Sequence, residues 1–176
     1  MPSINRHRAG RVAQKIGQTF EIILANMSRS QGICCIRIPD GCRQVRGARG
    51  YQLLRVATPF DYVLLLKNKT VILDTKTTEG STFTHSAIKS HQLSELLKCQ
   101  PHVHRSGYLV WHRDVDQVAF YPAHLLSVLK HRQSLSVMDG LNLGSLSKMD
   151  ITRLFTDLIP RPIDSQHLST DIIGYG

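Results

Sequence analysis

Two apolar runs separated by four polar residues constrain this chain more than any other feature. Asp61-Tyr62-Val63-Leu64-Leu65-Leu66 and Val71-Ile72-Leu73-Asp74-Thr75-Lys76 flank Lys67-Asn68-Lys69-Thr70. Both runs are rich in β-branched, aromatic and large aliphatic residues, and the break holds a turn-prone Asn, so the pattern predicts a β-hairpin. Pairing Leu66 with Val71 sets Asp61 opposite Lys76 and Val63 opposite Asp74. Side chains alternate along a strand, so Asp74 and Lys76 share a face about 6–7 Å apart. Asp61 joins them across the hairpin. A slip of one residue would separate the three.

Charges at a sheet end are commonly just solvated. Here two carboxylates and one ammonium converge at one end of an otherwise apolar hairpin. Neighbouring carboxylates repel, and a hard divalent cation offsets that repulsion. Mg²⁺ takes oxygen ligands, typically one or two carboxylates plus substrate phosphate. A lysine beside it can orient or deprotonate water, or stabilise charge building on phosphorus.

At 176 residues the chain reads as one domain over 1–158, followed by a polar, Pro/Gly-punctuated tail over 159–176. That length buries a core without disulfides. No run approaches the ~20 apolar residues of a membrane span, and the first residues lack the apolar stretch of a secretory signal. Cys34, Cys35, Cys42 and Cys99 form no Cys-x-x-Cys pair. They read as buried or free thiols in a reducing compartment, and the expected location is cytoplasmic.

The charge is unevenly placed. Residues 1–58 hold ten Lys/Arg against Glu21 and Asp40, which leaves +8 of the formal +9 in the first third. Such asymmetry suits a polyanionic partner, most simply nucleic acid. A membrane surface would also attract it, but no Trp/Phe-rich basic amphipathic helix is present.

Val12, Ile16, Phe20, Ile23 and Met27 recur at helical spacing and predict a helix over 10–28. Glu21 stands beside that stripe between Gly17 and Ala25, whose small size predicts close approach to another element. Glu21 itself faces solvent or reaches over the end of a sheet. Residues 33–38 predict a strand that Pro39-Asp40-Gly41 ends. From Cys42 to Thr58 the chain carries Arg43, Arg46, Arg49, Arg55 and Tyr51, with no acid. It reads as an arm along phosphates with Tyr51 stacking on a base, or more plainly as a basic loop. Further elements are a helix over 90–98 with Leu93, Leu96 and Leu97 inward, strands over 107–113 and 117–121, a helix from Pro122 to about 131, and a short helix near 150–158. The order gives a mixed α/β fold with a central sheet and helices on its faces.

Taken in order, these residues resemble a known family. An Asp opening one strand, Asp-x-Lys closing the next and a preceding helix with Glu are similar to the PD-(D/E)XK nuclease pattern. Asn5-Arg6, Gly17-Gln18-Thr19-Phe20-Glu21 and Gly32-Ile33 running into Arg37-Ile38-Pro39 resemble the opening of RecU-like Holliday junction resolvases. Asp61-Tyr62, Leu73-Asp74-Thr75-Lys76-Thr77, Phe83, His91-Gln92 and the strand from Gly107 to Trp111 continue the match. The resemblance spans roughly residues 5–130. It departs at Asp74, where the family more often has Glu, at Thr77-Thr78, where it continues Glu-Thr, and in the arginine-rich arm.

The resemblance implies a restriction-endonuclease-like mixed sheet flanked by helices, with residues 39–58 as a protruding basic stalk. Glu21, Asp61 and Asp74 would be ligands of Mg²⁺, with Mn²⁺ a substitute, and Lys76 the catalytic lysine. Arg6, Arg8, Arg11, Arg37, Arg43, Arg46, Arg49, Tyr51, Arg55 and Gln92 are the expected DNA-contacting residues. The implied activity is an endonuclease of recombination and repair. It would act as a homodimer, alongside recombination proteins the sequence does not identify, and resolve four-way DNA junctions by paired nicks leaving 5′-phosphate and 3′-hydroxyl ends. The alternatives are a nuclease of the same superfamily without junction preference, and a non-catalytic nucleic-acid-binding protein. Cys99, His102 and His104 offer a zinc half-site without a convincing fourth ligand. No nucleophile elbow or phosphate loop is present.

Overall fold

The hairpin forms, but with a tighter turn than the sequence predicts. In the computed structural model, which describes residues 3–39, 41–47, 50–56, 58–129 and 133–157, β4 (Tyr62–Leu66) and β5 (Lys69–Thr78) are joined by Lys67 and Asn68 alone. Lys67 has a φ of 53°, and two-residue hairpin turns need such a positive φ to match the twist of their strands. Leu66 therefore pairs with Lys69 and Leu64 with Val71, two residues away from the expected register. An even shift preserves the faces, whereas a shift of one would have inverted them.

Four further strands complete a sheet in the order β1-β4-β5-β7-β8-β10. They are β1 (Cys34–Arg37), β7 (Arg105–His112), β8 (Gln117–Pro122) and β10 (Leu141–Gly144). Only β5 and β7 run parallel. The connection between them carries α2 (Ser90–Cys99), as a parallel pair needs a crossover. Two small antiparallel ribbons stand outside the sheet: β2 (Gly41–Gly47) with β3 (Gly50–Val56), and β6 (Thr82–Thr84) with β9 (Ser134–Ser136).

Period-two alternation divides the core between the faces. Val71, Leu73, Leu109, Val118 and Phe120 point to one face, where Phe20 and Leu24 of α1 (Ser3–Ser30) cover them with Met149, Ile151 and Leu154. Ile72, Tyr108, Val110, Ala119 and Tyr121 point to the other, under Leu96 of α2, Leu126 of α3 (Ala123–Ser127), Phe83 and Leu135. The mixed sheet with helices on its faces is the expected fold class.

The helix α1 is longer than the 10–28 expected. Gly32 ends it with a φ of 70°, Gly32 N–H donating to Arg29 O and Ile33 N–H to Ser28 O, the paired bonds of a glycine C-cap. Gly17 does not mark a close approach, since a Cβ there would meet nothing within 4 Å. Val12 is half exposed, and Leu24, outside the predicted stripe, is fully buried. Pro122 closes β8 instead of opening a helix, and α3 spans only Ala123–Ser127. The expected helix near 150–158 is a 3₁₀ segment at Ile151–Phe155. The expected tail lies outside the described residues.

Candidate active site

The site forms where β4 leaves β5. Asp61 N–H makes the last backbone bond, to Leu73 O at 3.1 Å. Beyond it β5 continues without its neighbour, so the Thr75 N–H would be orphaned. Asp61 Oδ2 accepts that N–H at 2.8 Å and the Thr75 hydroxyl at 2.9 Å. The carboxylate thus substitutes for the missing strand and is fixed at the sheet's open end.

Asp74 is fully buried and held from two sides. Gln92, from the first turns of α2, donates Nε2 to Oδ1 at 2.7 Å. The Lys76 ammonium pairs with Oδ2, and also reaches Gln92 Oε1 at 3.3 Å. Lys76 Nζ lies 5.6 Å from the centre of the Tyr108 ring, within cation–π range. The parallel register sets Tyr108 beside Asp74. Burial pushes the Asp74 carboxyl up to about 7, and the nearby Asp61 carboxyl, within hydrogen-bonding reach, adds to that rise. The Lys76 ammonium opposes both without cancelling them.

Glu21 does not join this group. It sits on α1, whose apolar face packs on the sheet face opposite Asp74, and it pairs with Arg37 Nη2 at 2.9 Å. It is nevertheless at the same end of the sheet. Arg37 pairs with Tyr62 in register, and Ile38 N–H donates to Asp61 O at 2.8 Å. The Tyr62 phenol is raised by burial first and then by Glu21, with a smaller contribution from Asp61. Among the described residues no three His, Cys, Asp or Glu side chains come together to hold an ion. The expected three-carboxylate cluster is therefore present in two members only, and the third, Glu21, is paired with Arg37 instead.

Asp61 and Asp74 offer the carboxylate oxygens that a hard divalent cation takes, and the Asp61 charge adds to the rise at Asp74, a repulsion that a cation would relieve by displacing Lys76 or Gln92 from an Asp74 oxygen.

Gln92, expected to contact DNA, is 5% exposed and directed at Asp74 and Lys76. Arg11 and Arg37 are exposed. Arg6 and Arg8 lie near the start of α1, and Arg43, Arg46, Tyr51 and Arg55 lie in the β2–β3 ribbon, with Arg46 opposite Tyr51. Arg49 is outside the described residues. Thr75 and Tyr108 are site residues that the sequence pattern alone does not identify. Thr75 carried a signal in its place between Asp74 and Lys76, but Tyr108 meets Asp74 only through a pairing across a helix.

No family model matches the chain, and no curated protein sequence does. Among solved structures it is similar to Archaeoglobus fulgidus Hjc, a Holliday junction resolvase from an archaeal hyperthermophile. The TM-score is 0.52 at 14% identity, over 72% of this chain and 95% of that one. The likeness is one of fold: the six-stranded mixed sheet with flanking helices is the architecture of that resolvase.

Proposed function

We propose that this chain is a metal-dependent endonuclease that nicks four-way DNA junctions. The observation that carries the reading is the convergence of Asp61, Asp74 and Lys76 at one strand end, on the architecture of a junction resolvase. Asp61 and Asp74, with Glu21 once it leaves Arg37, would hold Mg²⁺, with Mn²⁺ as substitute. Such an ion supplies Lewis-acid activation of water and charge neutralisation at phosphate. Lys76 positions the attacking water or stabilises charge on the scissile phosphate. Gln92 keeps Asp74 and Lys76 in register with one another. Arg37, Arg43, Arg46 and Arg55 grip phosphates, and Tyr51 stacks on an unpaired base. An isologous homodimer matches the approximate two-fold symmetry of a four-way junction and places two sites for paired cuts.

The test uses Asp74→Asn and Lys76→Ala on a synthetic junction and on linear duplex, with Mg²⁺ and with chelator. Both variants should lose cleavage while binding survives, and the native chain should prefer the junction. Equal rates on both substrates would favour a nuclease without junction preference. Binding without cleavage by the native chain under any divalent ion would leave a DNA-binding protein.

A further inference from the structure

We infer that Arg37 is a latch on the active site: it holds Glu21 away from Asp61 and Asp74 until a DNA phosphate takes the guanidinium. This rests on the reading of Glu21 as a metal ligand and adds what controls its arrival.

The ion pair is 2.9 Å long and built from unequal partners. The Arg37 side chain is 66% exposed, that of Glu21 only 24%. The arginine can therefore be approached by a polyanion while still paired. It ends β1, and the chain runs from it through Ile38 and Pro39 towards the β2–β3 ribbon, which carries Arg43, Arg46 and Arg55. Arg37 stands four residues before Gly41, where that ribbon begins. The other end of the latch is one residue from the site, because Arg37 pairs with Tyr62 and the next amide bonds Asp61 O.

The chemistry makes the two states exclusive. A guanidinium binds carboxylate and phosphate with the same planar fork of donors, so a phosphodiester oxygen competes directly for the groups that hold Glu21. A divalent cation held near Asp61 repels the Arg37 guanidinium and competes with it for the Glu21 carboxylate. Phosphate capture by Arg37 and ion capture by Glu21 therefore favour each other. By linkage, DNA raises ion affinity by the same factor as the ion raises DNA affinity. Without DNA the carboxylate stays paired, which limits ion binding in the free enzyme.

The experiment titrates Ca²⁺ into the DNA-free full chain by calorimetry, for native protein, Arg37→Gln, Glu21→Gln and the double variant, and measures junction affinity with and without Ca²⁺. Breaking an exposed ion pair should raise Ca²⁺ affinity in R37Q by about two- to five-fold. The Ca²⁺-dependent gain in junction affinity should shrink in R37Q. E21Q should weaken Ca²⁺ binding, and R37Q should add nothing in the E21Q background. Unchanged Ca²⁺ affinity in E21Q would remove Glu21 as a ligand, and the latch with it. Weakened binding in E21Q with no gain in R37Q would overturn the latch and leave the ligand reading standing. A gain in R37Q that persists in the double variant would reduce Arg37 to a through-space charge and also overturn the latch.

Discussion

Gln92 Nε2 donates to Asp74 Oδ1 at 2.7 Å inside the core, where Asp74 has no exposed surface. A buried carboxylate is tolerated only when its oxygens are satisfied. Gln92 and Lys76 together provide that, one to each oxygen. Gln92→Leu keeps much of the volume and removes the donor. It should destabilise the protein by about 1–3 kcal/mol, the cost of one unsatisfied buried acceptor. Urea unfolding reads this directly, and a loss below about 0.5 kcal/mol, the low end of a hydrogen bond's net worth, would show that Asp74 does not depend on the amide.

Asp61 has a separable structural role. Its Oδ2 takes two bonds from Thr75 at the point where β4 begins. Asp61→Ala should loosen that end of β5, cost about 1–3 kcal/mol, and speed hydrogen exchange at the Thr75 amide. Asp61→Asn keeps one carbonyl oxygen as acceptor and should protect Thr75 nearly as well as the native residue, yet abolish cleavage. Equal exchange at Thr75 in the native chain and in D61A would contradict the strand-substitute role.

Much of this site was legible because parity survives an error of register. The hairpin turn is two residues shorter than expected, yet Asp74 and Lys76 stay on one face, with Asp61 at its edge. What the sequence hid is long-range. The pairing of β5 with β7 that brings Tyr108 to Asp74 spans a helix. The β6–β9 ribbon joins three-residue segments some fifty residues apart, too short for any periodic signal. Helical spacing located α1 but not the sheet face it covers, so the position of Glu21 relative to Asp74 could not be read. The basic arm was visible as composition. Its form as an antiparallel ribbon was masked by glycines and arginines that weaken an alternating pattern.

Two glycines should respond oppositely to the same substitution. A Cβ at Gly107 would lie 2.2 Å from the Tyr121 carbonyl oxygen and 2.9 Å from the Phe120 ring. Backbone cannot yield there without breaking the β7–β8 ladder beside the site. Gly107→Ala should cost about 3 kcal/mol or more, a fall in Tm of roughly 6–12 °C for a chain of this size. Gly17, in the middle of α1 with nothing near, should accept Ala with a gain of about 0.5–1 kcal/mol. Thermal unfolding of both variants checks the pair, and a tolerated G107A would show that β7 and β8 are not so closely apposed.

In the absence of divalent ions the Asp74 carboxyl should give the protein a distinctive pH dependence. Its folded value is raised to about 7 from an ordinary 3.8, by burial first and then by Asp61. The folded state therefore holds this proton more tightly than the unfolded chain does. The stabilisation is complete below about pH 4, declines as pH rises, and is gone once pH passes about 7. His112 contributes with the opposite sign: its burial lowers the imidazole, so it destabilises the fold as pH falls below its ordinary value of 6.5. Comparing native protein with Asp74→Asn cancels the histidine and isolates the carboxyl. Relative to D74N, native protein without divalent ions should lose stability between pH 4 and pH 7 and then run parallel to it. Urea unfolding across that range makes the comparison. A constant difference from pH 4 to pH 8 would mean that Asp74 ionises in the folded state at the usual carboxylate pH, and that the Lys76 ammonium fully offsets burial and Asp61.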